Sequence, residues 1–249
     1  MEKHHIEVLQ SPNDLVRVAA AKIARCLREA TASRGIASVT LSGGSTPRSV
    51  YELLGSEEYE GSIDWARIHL FWGDERCVPP YMPDSNFRMV NEALIKRINI
   101  PAKNVHRIPA ERPPGEAAQA YEAEVARLFN LKSGEFPEFD VLLLGLGEDG
   151  HIASLFPGSS ALQETSRLFV DVYVERLMAY RITMTLPVIN HGTSIIFLVS
   201  GKSKAAILRE VFKEDVAIYP AQLIKPVKGK VIWFVDRDAA SQLQMAHQP

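Results

Sequence analysis

The sequence predicts an α/β protein: a mostly parallel sheet covered by helices, with a small mixed or antiparallel extension. Two observations carry this. Short apolar runs at residues 39–41, 68–72, 195–199 and 231–235, and another opening at Phe139, are continuous rather than alternating, as in strands buried on both faces. Between them lie segments whose apolar residues recur at helical spacing, so strand and helix alternate along the chain.

Taken in order, the first helix is expected from Val16, Ala19, Ala20, Ile23 and Leu27, capped by Asn13 or Asp14, with Cys26 in its core. A helix beginning near Pro47 follows the run 39–41. Phe87, Val90 and Leu94 repeat the pattern after Ser85, as do Ala118, Tyr121, Val125 and Leu128 after Pro113-Pro114, and Ile207, Leu208, Val211 and Phe212 after Ser203. Residues 168–174 and 181–186 break the rhythm as two neighbouring strands, the second alternating Ile182, Met184 and Leu186 with polar residues. They form the expected extension.

At 249 residues and 46% hydrophobic, without a Gly/Ser or Pro-rich linker, the chain is expected to form one domain over residues 1–249. A net charge of −2 gives no broad basic field for nucleic acid and no polybasic membrane patch. The opening MEKHHIEVLQ lacks a signal-peptide core, and no apolar run approaches the ~20 residues of a membrane span, so a cytoplasmic protein is expected. His4-His5 is expected to be mobile. Cys26 and Cys77, far apart and without CxxC spacing, favour neither a disulfide nor a thiolate metal site.

In open α/β sheets ligands bind outside the carboxyl ends of the strands, and here those ends carry the chemistry. The turn GLGEDGH delivers Glu148, Asp149 and His151 together. His151 can accept and return a proton near neutral pH, and either carboxylate can orient it. Ser42, Gly43, Gly44, Ser45 and Thr46 combine an unobstructed backbone, two hydroxyls and a helix N-terminus, which together favour an anion; an ordinary turn capped by Ser45 or Thr46 is the alternative. Arg76 and Lys204, at two other strand ends, are the candidate countercharges, with Arg181 a third and Lys202 facing solvent. The loop is not a Walker motif. Asp149 stands where a pyrophosphate would be poorly received, no GxSxG elbow surrounds Ser154, and no His pair has metal-ligand spacing, so the reading is a histidine activating water beside a bound anion.

The segments LSGGSTP, FWGDERCV, GLGEDGHIASLFPG, RITMTLPVIN and SGKSKAAIL, in this order, resemble those of 6-phosphogluconolactonases from about Ile36 to Asp236. Glucosamine-6-phosphate deaminases of the same superfamily carry an aromatic residue after Asp-Glu and an Asn-Glu-Pro stretch beyond the histidine. Here Arg76 follows Asp74-Glu75, and Leu155-Phe156-Pro157-Gly158 follows the turn. The resemblance implies a modified Rossmann-like fold and hydrolysis of 6-phosphoglucono-δ-lactone to 6-phosphogluconate in the oxidative pentose phosphate pathway. By position it implies residues 42–46 as the pocket lining, Arg76 and Lys204 on the phosphate, Arg181 as a further substrate contact, and His151 as general base oriented by Asp149 or Glu148. The partner is then a small sugar-phosphate lactone, with no metal or organic cofactor. The alternatives are a deaminase or isomerase of amino-sugar phosphates and a non-enzymatic sugar-phosphate sensor.

Overall fold

The computed structural model describes residues 4–213 and 217–243. Its strands are β1 (His4–Leu9), β2 (Ala37–Leu41), β3 (Ile68–Trp72), β4 (Asp74–Arg76), β5 (Val105–His106), β6 (Val141–Leu144), β7 (Phe169–Val174), β8 (Ala179–Met184), β9 (Ser194–Val199) and β10 (Lys230–Asp236). Its helices are α1 (Pro12–Arg34), α2 (Ser45–Leu54), α3 (Asn86–Ala93), α4 (Pro114–Leu128), α5 (Leu186–Asn190) and α6 (Ala205–Val211). Seven strands form a parallel sheet in the order β1-β10-β9-β6-β2-β3-β5, and β4-β8-β7 form an antiparallel one.

Every residue of β2, β6 and β9 is buried, so the centre of the large sheet is covered on both faces, as the continuous apolar runs predict. Phe197 and Trp233, on neighbouring strands, stack with ring centroids 3.6 Å apart. Burying each large side chain contributes roughly 2–3 kcal/mol. From β2 the chain moves outward to β3 and β5, whereas from β6 it moves the other way to β9 and β10. The loops after β2 and β6 therefore diverge at a topological switch point, where such sheets open a crevice.

The small sheet starts where the large one ends. Gly73 bonds back to the large sheet through Leu41 O (3.0 Å) and accepts from Met184 N (2.8 Å), so the chain passes from β3 into β4 without a loop. The expected extension, 168–174 and 181–186, is the hairpin β7–β8, although β8 stops at Met184 and Leu186 opens α5. Two other expectations need correction. His4 and His5 lie in β1, held parallel to β10, with Trp233 Nε1 donating to His4 Nδ1 at 3.2 Å. The cap of α1 is Ser11, whose Oγ accepts from Asp14 N at 3.2 Å while Pro12 opens the first turn. Among the described residues no helix is long and apolar enough to cross a membrane.

Candidate active site

A cavity of about 250 Å³ opens at the switch point. It is lined by the whole loop Ser42 to Thr46, by Arg76, Arg181 and Lys204, and by His151. The expected residues, from four strand ends and from within β8, thus meet in one place.

The loop after β2 is fixed from beneath. Tyr51, in the second turn of α2, accepts from Ser42 N (2.9 Å) and donates to Ser42 O (3.0 Å), and burial pushes its phenol pKa up, which keeps it neutral. Gly43 passes so close to Asn86 that a Cβ there would lie 2.1 Å from Asn86 Oδ1, so any larger residue would displace the Asn86 side chain. Gly44 caps α2 with no side-chain hydrogen bond, so neither Ser45 nor Thr46 occupies the first-turn amides. The capped-turn alternative falls, and the helix N-terminus faces the cavity. Ser42 Oγ is likewise buried without a partner among the described residues.

Strand β4 sends alternate side chains to opposite sides. Asp74 and Arg76 face the cavity. Glu75 points away and accepts from Asn86 N (2.7 Å), Phe87 N (2.7 Å) and Ser85 Oγ (3.0 Å), tying β4 to the start of α3. Burial raises the Glu75 pKa despite these bonds. Arg76 Nη1 donates to Asp84 O at 2.5 Å, while its buried Nε has no partner among the described residues. Across the strand pair Arg76 stands directly opposite Arg181. Burial and the Arg76 charge both lower the Arg181 pKa, and Asp74, 4.0 Å away, only partly offsets them. Two guanidinium groups thus border one cavity in which Asp74 is the one lining carboxylate among the described residues, and it is itself engaged: Asp74 Oδ2 accepts from Ser154 Oγ (2.7 Å) and Oδ1 from Asn86 Nδ2 (3.3 Å). Lys204 reaches the cavity because Asp236, buried at the end of β10, accepts from Ser200 Oγ and from Gly201 N (3.0 Å) and so folds the turn that carries it.

The turn after β6 answers which acid serves His151. Asp149 Oδ1 lies 2.5 Å from His151 Nδ1, whereas Glu148 is exposed and does not line the cavity. Burial works to raise the Asp149 pKa, but the hydrogen bond and charge of His151, with Arg176 beside it, bring it below the ordinary value. An ionised carboxylate can only accept, so Nδ1 carries the proton and the neutral ring keeps its lone pair on Nε2. A Cβ on residue 147 would lie 2.0 Å from His151 Nδ1, so the ring seats against a glycine backbone. Among the described residues, no group of three or more His, Cys, Asp or Glu side chains is placed to hold a metal ion.

Sequence reasoning did not single out Asp74, Asn86 or Ser200 as lining residues. A polar residue beyond a helix cap, and a serine after an apolar run, carry no signal until tertiary contacts bring them in.

Comparison with known proteins bears on the family and the fold. Residues 10–233 match the family described as Glucosamine-6-phosphate isomerases/6-phosphogluconolactonase. The chain is 40% identical over 242 residues to a 6-phosphogluconolactonase of Synechocystis sp., covering 96% of this chain and 98% of that one. It is 39% identical over 246 residues to the Nostoc sp. protein of the same name, covering 98% and 100%. Among solved structures, 6-phosphogluconolactonase from Trypanosoma cruzi superposes with a TM-score of 0.87 at 31% identity, covering 97% of each chain. A monomeric glucosamine-6-phosphate deaminase shares the fold, with a TM-score of 0.80 at 24% identity and coverage of 96% and 100%. With a match spanning most of its length and relatives aligned nearly end to end, the chain belongs to the glucosamine-6-phosphate isomerase/6-phosphogluconolactonase family.

Proposed function

We propose that the protein hydrolyses 6-phosphoglucono-δ-lactone to 6-phosphogluconate, the lactone-opening step of the oxidative pentose phosphate pathway. The observation that carries this reading is the pairing of Arg76 with Arg181 at a cavity that is also lined by His151, itself paired with Asp149. Like charges directly opposite on paired strands destabilise a sheet, and a doubly charged phosphate between them removes that cost. Arg76, Lys204 and the amino end of α2 hold the phosphate, with Arg181 as a further contact. The lactone ring then extends toward His151.

His151 Nε2 takes a proton from water as the water oxygen bonds to the lactone carbonyl carbon. The carbonyl electrons move to its oxygen, and Asp149 holds the resulting imidazolium. When the tetrahedral intermediate collapses, the bond from that carbon to the ring oxygen breaks, and the proton on Nε2 passes to the ring oxygen. One molecule of water is consumed, and the base returns to its starting form.

The test is an assay on lactone generated in situ, with chelator present and the spontaneous rate subtracted. Lactone loss well above background without ammonia release from glucosamine-6-phosphate is the expected result. Ammonia release faster than lactone hydrolysis would reassign the protein to deaminase chemistry, and loss of activity to chelator with restoration by a divalent ion would end the metal-free mechanism.

A further inference from the structure

The Asp149 carboxylate has a second partner that no sequence signal announces. Its Oδ2 lies 2.7 Å from Arg176 Nη2. Arg176 sits in the turn at the tip of the β7–β8 hairpin, so it reaches the β6 turn from the other sheet. The same guanidinium lies over the Phe156 ring, 5.0 Å from its centroid, and Phe156 packs against the His151 imidazole at 4.5 Å. Four groups thus close on one another: His151 to Asp149, Asp149 to Arg176, Arg176 to Phe156, and Phe156 back to His151.

We propose that Arg176 is a positioning residue for His151, acting through Asp149 and Phe156, and that its charge sets the pH range over which the imidazole serves as base. With Oδ2 held by the guanidinium, the carboxylate has one oxygen to offer the ring, which fixes the plane of the imidazole and its Nδ1–H tautomer. The positive charge also offsets part of the Asp149 charge, so the imidazolium is favoured less than a lone carboxylate would favour it. The other charges facing the imidazole are Arg181 from β8, which shares the Phe156 ring at 5.9 Å, Asp74 and Arg76 from β4, and Lys204 across the cavity, while Glu148 is exposed on the same turn. Of these, Arg176 alone is ion-paired to Asp149 among the described residues. The inference rests on His151 being the base of the lactone-opening reaction.

The sign follows. Removing the positive charge favours the imidazolium, so the acid limb of kcat/KM moves to higher pH. For a half-exposed, solvent-screened ion pair the move is about half a pH unit, which is about a threefold lower rate at a fixed pH on that limb. Loss of the orienting contact lowers the plateau kcat severalfold and leaves KM near wild type, since Arg176 does not line the phosphate end.

The experiment compares wild type, Arg176→Gln, Arg176→Met and Arg176→Lys in pH–rate profiles, and follows the His151 imidazole by NMR titration without substrate. Gln and Met should both move the limb and the NMR midpoint upward, Lys should hold both in place, and the shift should shrink in an Asp149→Asn background, where no carboxylate holds the guanidinium beside the ring. An unmoved midpoint in both neutral variants, or a shift of undiminished size without the Asp149 carboxylate, overturns the proposal. A midpoint that moves as expected in a protein with no lactone hydrolysis would instead uphold the linkage and sink the assigned reaction.

Discussion

Arg76 and Arg181 face each other across the β4–β8 pair, two guanidinium groups in register at the rim of one cavity. Such a pair stores repulsion that an anion relieves, so ligand and fold stability are coupled here. 6-Phosphogluconate at about 100 times its Kd should stabilise the protein by about 2.7 kcal/mol, or roughly 5–10 °C in Tm for a chain of this size. Gluconate should give almost no shift. Equal shifts with both compounds in thermal melts would show that the cavity does not read the phosphate.

Arg76→Ala and Lys204→Ala are expected to weaken use of the phosphorylated lactone far more than that of the unphosphorylated one. A charge-assisted contact contributes about 1.5–3 kcal/mol, which corresponds to about ten- to a hundredfold in kcat/KM. The comparison is made by assaying both lactones with each variant. An equal factor on both would move these residues out of phosphate recognition.

His151→Asn keeps a polar side chain of similar bulk and removes the titrating base. General-base catalysis is typically worth about 10² to 10⁴-fold, so kcat should fall by that order while 6-phosphogluconate still raises Tm. In the wild type kcat/KM should rise with pH as the free imidazole forms, and that limb should be absent from the variant's residual rate. Near-normal kcat with an unchanged acid limb would remove His151 from the mechanism.

Gly147→Ala adds a single methyl group where a Cβ meets His151 Nδ1 at 2.0 Å and Asp149 Oδ1 at 2.6 Å. The imidazole must move, and a displacement of about 1 Å can cost on the order of a hundredfold in rate. The variant should lose kcat, keep its affinity for the phosphorylated product and melt close to wild type. A Tm drop large enough to leave the protein unfolded at assay temperature would make the effect one of folding instead.

The large sheet was legible because burial on both faces writes a continuous apolar run, as in VLLL of β6 and SIIFLV of β9. Strands without that signature were missed for identifiable reasons. β4 is Asp-Glu-Arg, three polar residues paired, among the described strands, with β8 alone, and β5 has two residues. β1 lies at the sheet's edge, where partial exposure admits histidine and glutamate. Within the cavity, the loop and the β6 turn were readable from glycine spacing and local charge. The choice of Asp149 over Glu148 was not, because it depends on which side of a turn each carboxylate falls. Arg176 was illegible for the same reason at longer range, since its partner lies on another sheet.

The placement of β1 along β10 has a consequence for how the protein behaves in concentrated solution. β10 is seven residues long, buried from Val231 to Asp236, and paired on its outer side only by β1. Peeling β1 away would uncover a long, flat, apolar backbone ladder, the kind of edge that recruits another chain. A six-residue segment carrying two histidines and a glutamate thus covers the backbone of that ladder, a service separate from anything the cavity does.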